Sequence, residues 1–346
     1  SKRKRATPAQ DALSTGQAVA DVAPPIGTTP PRVLARDAAD GRRGAAWRLL
    51  VWVIENDVRA VEAVSSLDDD RLAQNLLEFM ALGTWAGKSF VIPVPLRTAY
   101  ARTRLRTLFL PGSGMEYARA NRVLLAHIHD SQPAMRETTM NILGIIGDPS
   151  ATGVLIEALR DPVPAVRLQA AKALGRVGDP AAVPALMGAL RGADEQLSSQ
   201  IFSSLVKLGG MAVPALLQKS KSNTAWIRWN SIRALSEIHD LRVLPALVEA
   251  LQDNDHSVAW MGAKGLAHYG KLAMQPVLKM LMTSQMTPWL AETASYVLRN
   301  YAQRDADAKP ILEPVVLRMR EAGFRVGTAV AAQKALDQLR DGGLLA

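Results

Sequence analysis

The chain contains no cysteine. That excludes disulfides, thiolate metal sites and cysteine nucleophiles, and a secreted disulfide scaffold is not expected. An intracellular home, cytoplasmic or organelle matrix, fits better. Histidine is scarce as well: His127, His129, His239, His256 and His268 are the five, and none is followed by glutamate. His127 and His129 stand two apart and fall on different faces of a helix. Neither a metal nor a cofactor is therefore expected.

Long apolar runs are missing too. The longest candidate, Phe79 to Leu96, carries Lys88 at its middle and Pro93 and Pro95 near its end, which makes a lipid-spanning helix costly. A buried helix followed by a proline-stiffened loop is the expectation, and no transmembrane segment. Within that window "GTWAGKS", Gly83 to Ser89, has three residues between its glycines where a phosphate-cradling loop needs four. The chain has no Gly-x-Ser-x-Gly, and Asp68, Asp69 and Asp70 are most simply the start of a helix. No residue stands out as catalytic.

What the chain has in excess is positive charge. Lysine and arginine outnumber aspartate and glutamate 41 to 32, a formal net charge of +9, and the first 48 residues hold nine basic against four acidic side chains. Such a tail is attracted to nucleic acid, an anionic membrane surface or an acidic partner. The opening "SKRKR" is not followed by an apolar segment, so no secretory leader pattern stands there. A first residue of serine leaves initiator removal and precursor processing both open.

With 346 residues, 48% of them apolar, the chain exceeds the size of a single compact core, so two domains or an elongated body is expected. Four stretches differ in character. Residues 1–40 hold five prolines with no helical or strand period and are expected to be a disordered basic tail. Residues 41–132 read as irregular helices, with "AWRLLVWVIENDVRAVEAVSSL" at helical spacing. Residues 133–283 form five regular repeats, and 284–346 a divergent repeat with capping helices.

The repeats are visible at Met135, Val166, Leu197, Ile227, Val258 and Trp289, in steps of 30 or 31 residues. In "VRLQAAKALGRVGDPAAVPALMGAL", Val166, Ala170, Ala173, Leu174 and Val177 make one apolar stripe at period 3.6. Gly178 permits the left-handed residue that ends a helix, and Asp179 with Pro180 begins the next. Val183, Leu186 and Leu190 supply a second stripe. A hairpin of this kind cannot cover its own apolar face and must stack on its neighbours, which predicts an all-α solenoid of antiparallel helical hairpins.

The Val-Arg start, the alanine-rich helix, "ALGRVGDP" and "VPAL" resemble HEAT repeats of the short, phycobilisome-lyase-like class. The resemblance is good over about 133–283 and weak over 97–132 and 284–340. It implies the solenoid; its members include scaffolds, adaptors, bilin lyases, a DNA-repair glycosylase and a di-iron hydroxylase, so it does not choose a function. The hydroxylases hold iron with His-Glu pairs, which this chain lacks.

Arg136, Arg167 and Arg228 share one repeat position and are expected to form a structural ladder with aspartates such as Asp130 and Asp161. Trp229 and Trp260 share another, opposite the buried stripe, each with a cation four residues on, Arg233 and Lys264; Leu168 and Lys172 hold these places in an earlier repeat. Such a column suits a protein-docking surface. A second basic cluster, Arg97, Arg102, Arg104 and Arg106, joins Lys2, Arg3, Lys4 and Arg5 as candidate contacts to phosphate or lipid head groups. The function expected is a non-enzymatic adaptor or structural subunit binding a protein in a larger assembly. An RNA-binding subunit of a ribonucleoprotein is the alternative, and a bilin lyase a second one.

Overall fold

The computed structural model describes residues 29–90, 99–112, 115–320 and 324–345. Two compact units divide the chain, Ser1–Val154 and Leu155–Ala346. Among the described residues the secondary structure is helical apart from one two-stranded hairpin.

In the first unit the helices are α1 (Pro31–Ala39), α2 (Arg43–Ile54), α3 (Val58–Ser65), α4 (Arg71–Leu82), α5 (Ala99–Thr107), α6 (Tyr117–Ala126) and α7 (Pro133–Ile146); α8 (Thr152–Ala158) crosses the boundary. The presence of α1 corrects the expectation of a structureless segment through residue 40. Pro31 opens it, where a missing N–H costs no helical hydrogen bond, and Leu34, Ala35, Ala38 and Ala39 bury one narrow face against α2, α3 and α4. A stripe with one bulky residue gives little periodic signal. Lys2, Arg3, Lys4 and Arg5 lie outside the described residues.

The stretch 46–67 is two helices, separated where Asn56 takes φ 59° and the Asp57 carboxylate caps α3 through the Arg59 N–H. After α4, Gly83 adopts φ 70° and the chain turns into β1 (Thr84–Trp85) and β2 (Lys88–Ser89), an antiparallel hairpin with Trp85 opposite Lys88. The hairpin inserts Trp85 into the core, where its ring Nε1 donates to the Ala38 carbonyl at 2.8 Å and the ring packs among Phe79 and Phe90. The acidic triplet does more than start α4. Arg119 of α6, buried, meets Asp68 at 2.7 Å and Asp70 at 3.4 Å, and Arg122 forks onto Asp70 at 2.7 and 2.8 Å.

The second unit holds α9 (Pro164–Val177), α10 (Val183–Ala189), α11 (Glu195–Leu208), α12 (Val213–Lys219), α13 (Ala225–Glu237), α14 (Leu244–Ala250), α15 (His256–Tyr269), α16 (Lys271–Thr283), α17 (Pro288–Ala302), α18 (Lys309–Arg318) and α19 (Phe324–Asp341). The long helices pack in series, α9 on α11, α11 on α13, α13 on α15 and α15 on α17, while α10 meets α12 and α14 meets α16. Serial packing of hairpins makes the fold an all-α solenoid. No single described helix is long and apolar enough to cross a membrane.

The turn chemistry follows the repeat. Gly147 and Gly178 end α7 and α9 at φ 73° and 79°, donating their N–H to the Leu143 and Leu174 carbonyls. Asp148, Asp179 and Asp240 each accept from the N–H two residues on, closing a single 3-10 turn before the shorter helix. Where His239 replaces glycine, α13 ends instead on Ile238 in extended backbone. The stripe residues Val166, Ala170, Ala173 and Leu174 are all buried, as are Val183, Leu186 and Leu190. At the end of the series Leu290 is buried and Trp289 is exposed, so Leu290 fills the position of Val258 and the last step is one residue longer than the period predicts.

Candidate interaction surface

The three ladder arginines make one recurring contact. Arg136, Arg167 and Arg228 each donate from Nη1 to the carbonyl six residues earlier, on Asp130, Asp161 and Ser222, at 2.7 to 2.9 Å. The aspartates themselves turn to their own backbone, Asp130 Oδ1 accepting from Gln132 and Asp161 Oδ1 from Val163, both at 2.8 Å. These arginines thus tie down the carbonyls that the preceding turn leaves without a helical partner. Arg228 shows the expected bridge between repeats. It forks onto Asp253 at 2.7 and 2.8 Å, with the two side chains only 14% and 11% exposed, and that carboxylate raises the guanidinium pKa further.

The tryptophan column lies where α11, α13, α15 and α17 run side by side. Trp229 and Trp260 are both half-buried, less open than the sequence alone implies. The Arg233 guanidinium carbon sits 5.4 Å from the Trp229 ring centroid, as a spacing of four requires, and 3.9 Å from the Phe202 ring on the preceding helix. One cation is therefore clasped between two rings from successive repeats. Lys264 is exposed, and Trp260 packs instead on Tyr296, centroids 5.0 Å apart, and on His256 at 6.3 Å. His256 reaches across to Trp289 at 5.3 Å, and its Nε2 lies 3.5 Å from a Glu292 carboxylate oxygen. Lys172, half-buried on α9, lines a groove of about 790 Å³ with Leu168, Glu195, Ser199 and Gln200.

Sequence reasoning missed four members of this surface: Phe202, Tyr296, Trp289 and Trp226. Trp226 and Trp289 are its exposed rings, at 39% and 48%, and each stands one place before the first apolar stripe position of its repeat, half-buried Ile227 and buried Leu290. That shared place is hidden when Trp289 is aligned one residue out of phase. Phe202 and Tyr296 meet their partners across repeats, a relation fixed by helix packing that no single window contains.

The second basic cluster is divided. Arg97 and the side chain of Arg102 lie outside the described residues; Arg104 and Arg106 are half-buried beside Leu105 and Leu108, and Arg104 donates to the Asn56 amide oxygen. His127 is hydrogen-bonded through Nδ1 to Asp130 at 3.0 Å. Burial alone would raise the Asp130 pKa, but the Gln132 N–H and the His127 contact outweigh it and hold it low. Among the described residues no group of three His, Asp or Glu side chains is placed to hold a metal ion.

Comparison with known proteins identifies the repeat. A family model for HEAT repeats matches residues 121–205 and 213–314, more than half of the chain. No curated protein matches. Among solved structures, the CpcE–CpcF complex of phycocyanin lyase from Nostoc sp. PCC7120 is 27% identical over 44% of this chain and 99% of its own, with a TM-score of 0.33. An engineered protein is 16% identical and aligns over 90% of this chain and 99% of its own, with a TM-score of 0.39. Importin beta is 12% identical over 88% of this chain and 46% of its own, with a TM-score of 0.46.

Proposed function

Because the chain belongs to the HEAT-repeat family, we propose that it acts as a non-enzymatic scaffold whose aromatic face on α11, α13, α15 and α17 docks a protein partner. The observation that supports this reading is the clasp of Arg233 between Phe202 and Trp229, continued by the Trp260–Tyr296 and His256–Trp289 contacts. Rings already fixed by their neighbours lose little conformational freedom when a partner arrives, and aromatic and arginine side chains dominate binding energies at such surfaces. Trp226 and Trp289 offer the open area, and Trp229 and Trp260 are half-buried.

The test begins with full-length protein carried through purification from its own cells, the partner being identified by mass spectrometry and then titrated in purified form. Replacing Trp226 and Trp289 by alanine together is expected to weaken the partner at least about a hundredfold, near 2.7 kcal/mol, with little dependence on salt. Loss confined to Trp229→Ala with Trp260→Ala would instead mark a supporting role for those two. A nucleic-acid ligand would announce itself through a steep salt dependence relieved by neutralising Lys2, Arg3, Lys4 and Arg5. That outcome, or visible absorbance gained on incubation with a bilin, would replace the scaffold reading.

A further inference from the structure

The second unit carries a groove that the aromatic face does not explain. Between α17 and α18 a cleft of about 610 Å³ is lined by Arg299, Arg304, Lys309 and Arg320. The four cations have no carboxylate within ion-pair distance among the described residues, and Glu313 is the one acid in the wall. Arg304 makes one long hydrogen bond to the Ala267 carbonyl, 3.5 Å, and Arg299 Nε donates to the Ser295 carbonyl at 3.2 Å; both leave most of their donors open. The nearest turn acid does not compensate them. Asp305 accepts from the Tyr301 hydroxyl at 2.7 Å and from the backbone N–H groups of Asp307 and Ala308.

Four like charges held along one cleft repel one another, and an anionic ligand relieves that repulsion. The lining also says which kind of anion. No aromatic ring faces the cleft, so the base-stacking platform that single-stranded nucleic acid uses is missing, while Ala302, Ala306, Val316 and the exposed Leu317 interleave apolar surface with the cations. Arginine forks match carboxylates pairwise, and small apolar side chains match the surface between them. We propose that the α17–α18 groove binds an acidic linear peptide, a segment of a protein partner in which aspartate or glutamate alternates with aliphatic residues. This adds a second site to the scaffold reading and stands whether or not the tryptophan face binds. The two surfaces are continuous along α17: Trp289, Glu292, Tyr296, Arg299 and Gln303 lie on one arc of the helix at 100° per residue.

The experiment is a fluorescence-anisotropy titration of the full chain with a labelled twelve-residue peptide of alternating glutamate and leucine pairs. A peptide with lysine in place of glutamate and a single-stranded RNA of equal charge serve as comparisons. Saturable binding of the acidic peptide alone is expected, weakened at least about tenfold, 1.4 kcal/mol, by Arg299→Glu with Lys309→Glu. Alanine at Lys2, Arg3, Lys4 and Arg5 should leave it within about twofold, as should Trp226→Ala with Trp289→Ala. Both reversed residues are exposed, and an unchanged circular dichroism melt identifies a folded variant; Arg299→Gln with Lys309→Gln gives the same reading if the reversal unfolds the chain. No saturation, equal binding of the lysine peptide, tighter binding of RNA, loss on tail neutralisation, or full affinity in the charge variants would overturn the proposal.

Discussion

At the scale of single residues, packing between repeats is decided by atoms that are absent. Ser204 donates its hydroxyl to the Ala171 carbonyl at 2.8 Å, which is reached only because Gly175 beside it has no side chain. A Cβ at Gly175 would stand 2.8 Å from Ser204 Cα and 2.6 Å from its Oγ. Two helix backbones would have to separate, so Gly175→Ala is expected to cost about 1–3 kcal/mol through overpacking, although alanine favours the helix intrinsically. Gly188 of α10 is the control, since a Cβ there meets nothing within 4 Å, and Gly188→Ala should gain about 0.5–1 kcal/mol. Urea midpoints followed at 222 nm decide the pair; equal shifts in both would mean that helix propensity and not close approach governs the site. The residue scale is also where sequence reading was strongest and weakest. Gly178, Asp179 and Pro180 announce their turn because a left-handed cap, an Asx bond and a proline at the first helical position are local chemistry. The contact of Gly175 with Ser204 is invisible to it, since the two lie 29 positions apart and only the packed helices bring them together.

At the scale of elements, each hairpin is held by its turn, and the turns are tied by polar groups that differ from repeat to repeat. Arg228 carries both jobs, grasping the Ser222 carbonyl and the Asp253 carboxylate of the following turn, while Arg167 donates to the Asp161 and Pro162 carbonyls of its own turn. A ladder was legible from the spacing of the three arginines, yet its shared acceptors were not, because they are backbone carbonyls six residues earlier, which carry no side-chain signature. Tyr301 plays the corresponding part at the end of α17, donating to Asp305 in the turn toward α18. Burial, and then the hydrogen bond and charge of Asp305, push its pKa up to about 12 from an ordinary value of 10. The folded state therefore holds this proton more tightly than the unfolded chain. Its contribution is complete below about pH 10 and is lost as pH rises from there toward 12. Titration of tyrosinate absorbance should show one phenol ionising last in the folded protein, and Tyr301→Phe should remove that step along with the matching alkaline decline in stability. If the late step survives in the variant, Tyr301 is not its source; Tyr269, raised by burial and bonded to the Ile238 carbonyl, would be the next to test.

At the scale of the whole molecule, the uneven charge separates two kinds of attraction. Of a net charge of +9 the first 48 residues supply +5, leaving +4 on the remaining 298, so the helical body is close to balanced except where the α17–α18 groove gathers four cations. An opening cluster such as Lys2 to Arg5 acts through counterion release, a term that any polyanion satisfies and that salt removes. A surface built from clasped rings acts through area removed from water, on which moderate salt has little effect. The two contributions can therefore be read independently in one chain. On duplex DNA the slope of log affinity against log salt should become shallower by about 3–4 when Lys2, Arg3, Lys4 and Arg5 are replaced by alanine, each released phosphate contact being worth roughly 0.9. The same replacement should leave the affinity for the protein partner within about twofold at 150 mM salt, whereas Trp226→Ala with Trp289→Ala should do the reverse. Were the tail variant to lose the partner while the DNA slope stayed fixed, the assignment of the two surfaces would have to be exchanged: the opening residues would be the protein contact, and the cations of the helical body would carry the polyanion.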